Sequence, residues 1–572
     1  MVARYVVSPR GGRRAHPDIT SALRAAAARG RAALIEIAPG RYEEALTVRG
    51  EVRLVAAEGP GTVLVGRARG AALDAFGPVQ VHGLVLAGRE ADVVGCHTGT
   101  LTLEHTEIRA HGGVALHARP GTSVTLRDSA VAHGRTLFSG GTGLVERCRF
   151  TDAADNAVAV IDGARVSVRG SRIEGSRIHG VRVSDAQAEV LGCELTGTGQ
   201  AALVADARAR LTVADCAITA VHAEGIMFTE QSRGSVDRTR VTDARHGIAA
   251  ASGADPLVRG CVLTDCRDTG INVQSGARGR FEDCEVLNAG NVSVFSTEGG
   301  APEVHGCRVV GGNVGIAVTE GGLGRFTGTS VEDLPNAALR VLDEAGAVFA
   351  HLRVERCQAG LEVRGNGGTT AEVTDTVFRD VALAAVATGG QSRVTLAQVR
   401  VDRGALGFGV CEESQIRVTD STVTAVSGCG AAALDSGLLF ARNLTVTGSE
   451  ALGVYATGSA HVDIAGSEFT ECAVAGASFD GEAGGQLVDC AVNGSRGAAL
   501  VGNGRVDTAG LRTSLRILRH AEKPAGPPPR IVNIFNGPVF NGPVQDVQMA
   551  WGNTHVVQNK TETDTEGDGS HR

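Results

Sequence analysis

Aromatic residues are scarce in this chain of 572 residues, where they make up 3% and Trp occurs once. Sugar-binding sites usually use exposed aromatic side chains as platforms, so the shortage argues against an extended glycan-binding surface. The sequence also lacks a block of like charge, because the net charge of −8 is spread along the chain. Nucleic-acid-binding proteins normally present a basic face or stacked aromatic rings. We therefore expect no nucleic-acid partner.

Long apolar runs are missing as well. No segment approaches the roughly 18 apolar residues that a membrane-spanning helix needs, and residues 1–18 contain no apolar core of a secretory signal. We therefore expect no membrane partner and a cytoplasmic location. In that reducing compartment the 13 cysteines should be thiols. They form no CxxC pair and no Cys/His zinc spacing, so neither a metal site nor a cofactor is expected.

The cysteines instead mark a repeat of about 23 residues. Gaps of 45, 23, 45, 23 and 23 residues separate Cys148, Cys193, Cys216, Cys261, Cys284 and Cys307. Small or apolar residues continue this column in both directions, giving 19 positions from Leu84 to Cys490. The residues two places after these positions are all apolar: Leu86, Ile108, Val131, Phe150, Ile173, Leu195, Ile218, Val241, Leu263, Val286, Val309, Val331, Val354, Phe378, Val401, Val423, Val446, Phe469 and Val492.

Turn signals keep the same register. The residue before each column position is Gly, Asp or Asn in 14 of the 19 cases, and these types favour a tight turn or a positive φ. Seven to nine residues after the column comes Gly with an apolar pair, as at Gly180, Gly225 and Gly270. A third short alternating segment precedes the column, as at Ser123-Val-Thr-Leu. Each period therefore predicts three short strands divided by turns.

One period cannot bury its own apolar row, but a stack of periods can. The predicted fold is all-β: a right-handed, single-stranded parallel β-helix of about 20 coils, with an N-terminal helical cap and a flexible C-terminal tail. At roughly 4.8 Å a coil, the rod would be about 95 Å long. The three-strand coils and their turns resemble the pectate-lyase-like superfamily over residues 30 to 510. Within this rod, the cysteine column is best explained as a ladder of small buried side chains, and a redox or metal role is the alternative.

The remaining segments suggest six regions. They are an N-terminal cap and entry coil at 1–50, the β-helix at 51–510, a C-terminal cap at 511–523, a proline-rich linker at 524–530, a prion-like β-assembly motif at 531–559 and a disordered acidic tail at 560–572. In the first region, Asp18 or Thr20 would begin an amphipathic helix that Gly30 ends. Leu511, Leu515 and Leu518 lie near helical spacing, which suggests a short helical cap at the far end.

Whether the rod is an enzyme depends on acidic residues, because many proteins of this superfamily act on polysaccharides in a lateral groove. The Asp-containing motifs of pectin methylesterases, polygalacturonases and mannuronan epimerases are absent. The best remaining constellation lies on two adjacent coils and consists of Asp265, Asp268, Glu282, Asp283 and Glu285, with Arg267 and Arg280. The first four are the candidate catalytic residues. Close carboxylates can share a proton or bind calcium. Asp283, however, lies in the turn column, where Asp recurs for backbone reasons.

Histidines offer no stronger catalytic signal. His179 and His246 fall at or beside the Gly of the strand that follows the column, and His305 lies just before the cysteine column. We expect all three to be loop or surface residues.

The segment 531–559 has a different character from the rod. Phe-Asn-Gly-Pro-Val occurs there twice in tandem, followed by Gln- and Val-rich sequence and the only Trp. Alternating Val, Gln and Asn suits cross-β stacking of identical copies. The segment resembles the short bacterial amyloid-signalling motifs that are similar to the RHIM motif of animal necroptosis adaptors. The residues expected to carry assembly are Phe535, Asn536, Val539, Phe540, Asn541, Val544, Gln545, Val547, Gln548 and Trp551.

Two functional hypotheses follow. The first is a non-enzymatic β-helix scaffold, sensor or effector that self-associates, or recruits a protein with a matching motif, through 531–559. The alternative is a carbohydrate-active enzyme of the β-helix class, which would show an acidic groove with convergent carboxylates and Arg or Lys, around coils 255–290 or elsewhere. The sequence favours the first hypothesis because the known catalytic motifs are absent.

Overall fold

The computed structural model describes residues 2–11, 15–67, 70–89, 92–502 and 505–519. Within these ranges the chain is a parallel β-solenoid of about 21 turns with one helix, which confirms the predicted fold class. The predicted linker, assembly motif and acidic tail between 524 and 572 lie outside the described residues, and so does the end of the predicted C-terminal cap.

Each coil contributes one strand to each of three faces of the rod. Face 1 is a separate parallel sheet formed by the strands that precede the cysteine column. Its strands are Ala3–Val7, Ala15–His16, Ala33–Ile37, Val52–Ala56, Val79–His82, Thr100–Glu104, Ser123–Arg127, Thr142–Glu146, Arg165–Arg169, Gln187–Leu191, Arg210–Ala214, Arg233–Asp237, Asp255–Arg259, Arg278–Glu282, Ala301–His305, Leu323–Thr327, Gly346–Ala350, Thr370–Thr374, Arg393–Ala397, Gln415–Thr419, Leu438–Arg442, His461–Ala465, Gly484–Val488 and Val506–Asp507.

Face 2 consists of the short strands that carry the apolar column. Its separate strands are Gly40–Tyr42, Val63–Gly66, Leu84–Gly88, Glu107–Ala110, Ala130–Ala132, Arg149–Thr151, Arg172–Glu174, Glu194–Thr196, Ala217–Thr219, Arg240–Thr242, Val262–Thr264, Glu285–Leu287, Arg308–Val310, Thr422–Val426, Thr445–Thr447, Glu468–Thr470, Ala491–Asn493 and Arg512–Thr513.

Face 3 follows the turn after face 2. Its separate strands are Leu46–Arg49, Leu73–Phe76, Val94–Thr98, Val114–Ala118, Arg135–Ser139, Val158–Ile161, Val181–Ser184, Leu203–Asp206, Glu224–Phe228, His246–Ala250, Thr269–Val273, Val292–Ser296, Val314–Val318, Ala431–Ala433, Leu452–Ala456, Ala475–Phe479, Ala498–Gly502 and Ile517–Arg519. Four long strands run through faces 2 and 3 and join them into one sheet: Ser330–Leu342, Arg353–Gly365, Val377–Gly390 and Arg400–Val410.

The predicted apolar column forms one continuous ladder inside the rod. Each of its 19 residues is the direct parallel neighbour of the next, from Leu86 paired with Ile108 to Phe469 paired with Val492. All 19 are at most 1% exposed. The column that sequence spacing defined is therefore the core of the fold.

The predicted turn column is present, and it includes positions that are not Gly, Asp or Asn. All 19 residues before the cysteine column have φ between 45° and 77°. Besides Gly, Asp and Asn, the column includes Arg147 and Arg238, for which this conformation is unfavourable. Each of these arginines forms a two-pronged ion pair with the Asp one coil earlier: Arg147 with Asp128 at 2.7 and 2.8 Å, and Arg238 with Asp215 at 2.8 Å twice.

The cysteines stack as predicted. The backbone N–H of Cys284 donates to Cys307 Sγ at 3.4 Å, and that of Cys193 donates to Cys216 Sγ at the same distance. All 13 cysteines are buried and unbridged. Burial raises the pKa of the Cys266 thiol to about 12, so the proton stays on sulfur at neutral pH.

The predicted N-terminal helix spans Ile19–Arg29. Asp18 begins it by accepting a hydrogen bond from the Ser21 N–H, and Gly30 ends it in the left-handed conformation at φ 58°. The buried side of the helix faces the first strands of face 1, where it covers the open end of the stack.

The helix suggested by Leu511, Leu515 and Leu518 is wrong for the described part of that segment. Arg512–Thr513 and Ile517–Arg519 are instead short strands that continue faces 2 and 3 by pairing with Ala491–Asn493 and Ala498–Gly502. Unpaired backbone groups at the last coil favour another strand over a local helix, because they offer hydrogen bonds that a helix would leave unsatisfied.

Candidate functional site

A cleft of about 260 Å³ lies on the outer side of face 3. Four consecutive strands of that face, from Glu224–Phe228 to Val292–Ser296, supply its floor and walls together with their flanking turns, and Glu320 is added from the turn after Val314–Val318. Strand alternation directs one row of side chains outward, and parallel pairing stacks Met227, Ala249, Asn272 and Phe295 in this row. This cleft is the candidate site, because it brings titratable side chains of neighbouring coils together.

His246 occupies the centre of the cleft wall. Its side chain is 13% exposed, and Nδ1 lies 2.7 Å from Thr269 Oγ1 on the next coil. Burial lowers the pKa of His246, while the nearby carboxylates of Asp268 and Glu224 oppose the shift in part. The imidazole is therefore neutral at neutral pH and has one nitrogen able to accept a proton.

Asp268 lies beside this histidine. Its Oδ2 is 4.0 Å from His246 Nε2 and 3.7 Å from Arg245 Nε, and its Oδ1 accepts a hydrogen bond of 3.3 Å from Asn291 Nδ2. These partners lie on the preceding and the following coil, so the carboxylate is positioned by the stack itself.

Glu224 stands on the other side of His246. Backbone register pairs Glu224 with His246 and His246 with Thr269 as direct parallel neighbours. Parallel neighbours are about 4.8 Å apart, so Glu224 and Thr269 are separated by about 10 Å. Asp268 immediately precedes Thr269, and the two carboxylates therefore flank the imidazole along the rod axis.

Asn272 provides an unsatisfied polar group on the cleft floor. The residue is 8% exposed, and its amide oxygen is buried without a hydrogen-bond partner among the described residues. Buried polar groups are nearly always hydrogen-bonded, and this amide oxygen is placed to accept a hydrogen bond from a ligand in the cleft. Phe295 follows Asn272 in the same outward row and adds an apolar surface next to it.

Of the four acidic candidates from the sequence, only Asp268 lines the cleft. Asp265 sits in a turn at φ 52° and accepts a hydrogen bond of 3.2 Å from Asn288. Glu282 ends the face 1 strand Arg278–Glu282, with its carboxylate 3.8 Å from Arg280. Asp283 follows it in the turn column at φ 52°. The structure therefore does not bring the four carboxylates together.

The three histidines also differ from one another. His305 is exposed and hydrogen-bonded to Thr327 at 2.9 Å, as expected for a surface residue. His179 is partly buried, with Nδ1 3.3 Å from the Ala201 carbonyl. The surface expectation is wrong for His246, because the walls of the cleft enclose it.

The sequence contains a signal for Glu224 and His246 that spacing alone can reveal. Both residues occupy the position just before the Gly of the face 3 strand, and Thr269 takes this position on the next coil. Near the C-terminal end of the rod the same position holds Leu406, Cys429 and Leu452. A polar run in an otherwise apolar position marks the cleft.

The described residues contain no group of three or more His, Cys, Asp or Glu side chains arranged to hold a metal ion. In the same ranges, no helix is long and apolar enough to cross a membrane. A second, more open hollow lies on face 1 around Arg417 and Phe440, with the guanidinium carbon 5.0 Å from the ring centre.

The stacked three-faced coils and the lateral cleft define a parallel β-helix protein. A family model described as the right handed beta helix region matches residues 92–220, 201–359 and 359–510. These matches cover well over half of the sequence, so the chain belongs to the right-handed β-helix family. The handedness expected from the sequence is thereby confirmed.

Several solved structures are similar in fold. An alginate lyase of family PL6 has 9% identity over 90% of this chain and 99% of its own, with a TM-score of 0.31. The periplasmic alginate epimerase AlgG has 7% identity over 64% and 78%, with a TM-score of 0.25. The catalytic unit of an α-1,3-glucanase of family GH87 from Streptomyces thermodiastaticus has 16% identity over 77% and 62%, with a TM-score of 0.18. Likenesses at this distance concern the fold alone, and no curated protein matches the chain.

Proposed function

We propose that this protein is a carbohydrate-active enzyme that cleaves a glycosidic bond in the cleft. The observation that carries the proposal is the pair of carboxylates, Glu224 and Asp268, placed two coils apart on either side of the neutral imidazole of His246. The acidic lining of the cleft, which comes from residues 224–320, supports the alternative hypothesis. This geometry supports the enzyme over the non-enzymatic scaffold that the sequence alone favoured.

Glycoside hydrolysis requires two carboxyl groups, one that protonates the leaving oxygen and one that activates water or attacks the sugar. Asp268 is fixed by Asn291 and Arg245 and is the candidate base. Glu224 has no ion-pair partner within the described ranges and is the candidate acid. Two coil steps separate the backbones of Glu224 and Thr269, the residue next to Asp268, by about 10 Å. This spacing exceeds the roughly 5–5.5 Å between the carboxyl groups of retaining enzymes and is nearer to the roughly 6.5–9.5 Å of inverting enzymes.

The cleft floor supports binding of a sugar ring. Asn272 offers an unpaired amide for hydroxyl groups, and Phe295 offers an apolar surface for the C–H face of the ring. His246, hydrogen-bonded to Thr269, would position the bond between the two carboxylates.

The proposal is tested by incubating the purified full chain with a panel of neutral, amino and acidic oligosaccharides and analysing the products. We expect chain cleavage with inversion at the anomeric carbon, observed by proton NMR. Asp268→Asn and Glu224→Gln should each reduce the rate about 100-fold or more, as expected for loss of a general acid or base.

Asp283→Asn is the matched control. It makes the same charge change on a neighbouring coil, and Asn already occupies the turn column at Asn443 with φ 54°. Its rate should equal that of the unchanged protein. Absence of cleavage for every oligosaccharide class, or equal losses in Asp283→Asn and Asp268→Asn, would refute the proposed activity.

A second candidate function concerns residues 531–559, because the tandem Phe-Asn-Gly-Pro-Val repeat is a specific sequence feature that catalysis does not require. We propose that this segment brings copies of the chain, or a partner with a matching motif, together by β-stacking. A cytoplasmic location belongs to this proposal, because recruitment would act on other intracellular proteins.

Trp551 is the only Trp in the chain, so Trp fluorescence reports on this segment alone. On raising the protein concentration, we expect a blue shift of the emission together with growth in light scattering. A chain ending at residue 530 should not scatter under the same conditions. Scattering that is identical with and without the segment would contradict the assembly role.

A further inference from the structure

We propose that the cleft selects glycans with free amino groups, and that Glu298 and Glu320 bind the ammonium group. This inference rests on the proposed glycan-cleaving function and specifies the chemical class of its substrate. The shared chemistry is a cationic amine next to a polar, hydroxyl-rich chain. A polyamine could supply the amine but not the sugar ring.

The first observation is the charge of the cleft. It is lined by Glu224, Asp268, Glu298 and Glu320, against which stands a single arginine, Arg245. Arg245 lies against Asp268, and His246 is neutral because burial lowers its pKa. The remaining three carboxylates give the cleft a negative potential that repels acidic sugars and attracts cations.

Glu298 and Glu320 occupy equivalent positions in a repeated turn. The sequence Thr-Glu-Gly-Gly occurs at 297–300 and again at 319–322, and the two glutamates have φ of 49° and 50°. Ser275 Oγ donates to Glu298 Oε2 at 2.6 Å, and Thr297 Oγ1 donates to Glu320 Oε2 at 3.0 Å. Hydroxyl groups one coil earlier therefore fix both carboxylates at the rim of the cleft.

Other turn columns of this rod neutralise their acids internally. Asp333 pairs with Arg356 one coil later at 2.6 Å, and Asp380 pairs with Arg403 at 2.6 Å. Glu298 and Glu320 have no such arginine within the described ranges. Their charge is therefore available to a ligand.

The second, independent observation is Asn272 on the floor of the same cleft. It is 8% exposed, and its amide oxygen is buried and has no partner among the described residues. This oxygen can accept a hydrogen bond from a hydroxyl or amino group of a ligand. Carboxylates on an open surface alone would not offer such a buried acceptor. The negatively charged rim and the unpaired amide oxygen of Asn272 together form a site that suits an amino sugar.

The test compares oligomers of glucosamine, N-acetylglucosamine and glucuronic acid, together with spermidine, by calorimetric titration of the full chain. We expect the glucosamine oligomer to bind most tightly, with an affinity that falls as salt is added. The acetylated oligomer should bind at least about tenfold more weakly, as for loss of one charge-assisted hydrogen bond.

Glu298→Gln and Glu320→Gln should each weaken glucosamine-oligomer binding by about tenfold and leave binding of the acetylated oligomer unchanged. Glu230→Gln is the matched control, since Glu230 occupies the equivalent turn position at φ 50° but does not line the cleft. That variant should bind like the unchanged protein.

Three results would overturn the inference. They are equal affinities for the free and acetylated oligomers, tighter binding of the glucuronic acid oligomer, and binding of spermidine with the affinity of the glucosamine oligomer. Preference for a neutral glycan that is still cleaved would overturn the inference while leaving the proposed function standing. Failure to cleave any glycan would count against the function itself.

Discussion

Face 3 is built in the same way along the rod, but two of its regions have opposite chemistry. In three successive coils the position before the Gly of the face 3 strand holds Glu224, His246 and Thr269, and Val292 and Val314 take it in the next two coils. In coils 384–501 the same position contributes to an apolar cluster outside the main core, whose members are Ala384, Leu406, Cys429, Ala432, Ala451, Leu452, Ala475, Ala498 and Val501. The backbone register is continuous through both regions.

The difference shows how a β-helix separates stability from chemistry. The inward apolar ladder is the same in both regions and holds the coils together. The outward row contributes little to this ladder, so its residues are free to form either an apolar cluster or a polar cleft. A function can therefore be placed on a few coils without altering the fold.

Exchanging polar and apolar residues between the two regions should change the free energy of unfolding most. Leu452 is 2% exposed, so Leu452→Glu places an unpaired charge inside the apolar cluster. We expect a loss of about 3 kcal/mol or more in the free energy of unfolding, measured by urea denaturation followed by circular dichroism. Glu224→Leu, the reverse exchange, should leave stability within about 1 kcal/mol.

Leu452→Met is the control for the exchange, with an expected cost below about 1.5 kcal/mol. Equal destabilisation by Leu452→Glu and Leu452→Met would show that the two regions do not differ in the way described.

Gly270→Ala should have the next largest effect, because the cleft strand Thr269–Val273 packs closely at this glycine. An added Cβ would lie 2.3 Å from Val286 Cγ1 and 2.7 Å from the Ser293 carbonyl oxygen of the next coil. The cost of overpacking is expected to be about 1–3 kcal/mol, again from urea denaturation. Gly502→Ala, where the nearest atom is 3.9 Å away, is a control that should be neutral, and a neutral Gly270→Ala would disprove the close packing.

The pH dependence of stability should distinguish the polar region, which contains His246, from the apolar one. Burial lowers the folded-state pKa of His246 below the unfolded value of about 6.5, so the unfolded chain binds more protons as the pH falls. The stability that neutral His246 contributes is therefore fully present above pH ~6.5 and decreases as the pH falls through the lowered pKa. His246→Gln should reduce this slope in thermal melts between pH 4 and 7, whereas Leu452→Met should not.

The smallest effect is expected at the cysteine ladder, which runs through both regions. Cys284→Thr should cost about 1 kcal/mol or less, because Thr already fills the column at Thr239 and Thr329. Burial raises the pKa of the ladder residue Cys148 to about 11, so a thiol reagent should label the native ladder slowly and the unfolded chain quickly. Rapid labelling of the native protein would contradict the buried ladder.

Sequence spacing was sufficient to predict the rod, because columns such as Leu263, Val286 and Val309 repeat at a constant interval. It also predicted the turn column, although Arg147 and Arg238 were found only in the structure. Their left-handed conformation is compensated by ion pairs to Asp128 and Asp215, which lie 19 and 23 residues away. The conformational propensity of a single residue gives no information about such an ion pair between coils.

The candidate site was less predictable. Asp268 was identified from its acidic neighbourhood, but Asp265 and Asp283 were grouped with it although turns hold them elsewhere. Glu224 lies 44 positions before Asp268 along the chain, which are two coil steps in space. A site that runs parallel to the rod axis collects residues from several periods, so neighbourhood along the sequence is a poor guide to it.

The most direct test of the central claim, that the polar coils of face 3 form the working site of the rod, is hydrogen–deuterium exchange of the full chain with and without its best-bound oligosaccharide. We predict slower exchange confined to residues 224–320 of face 3. Protection instead around Arg417 and Phe440 on face 1, or in the apolar coils 384–501, would contradict it.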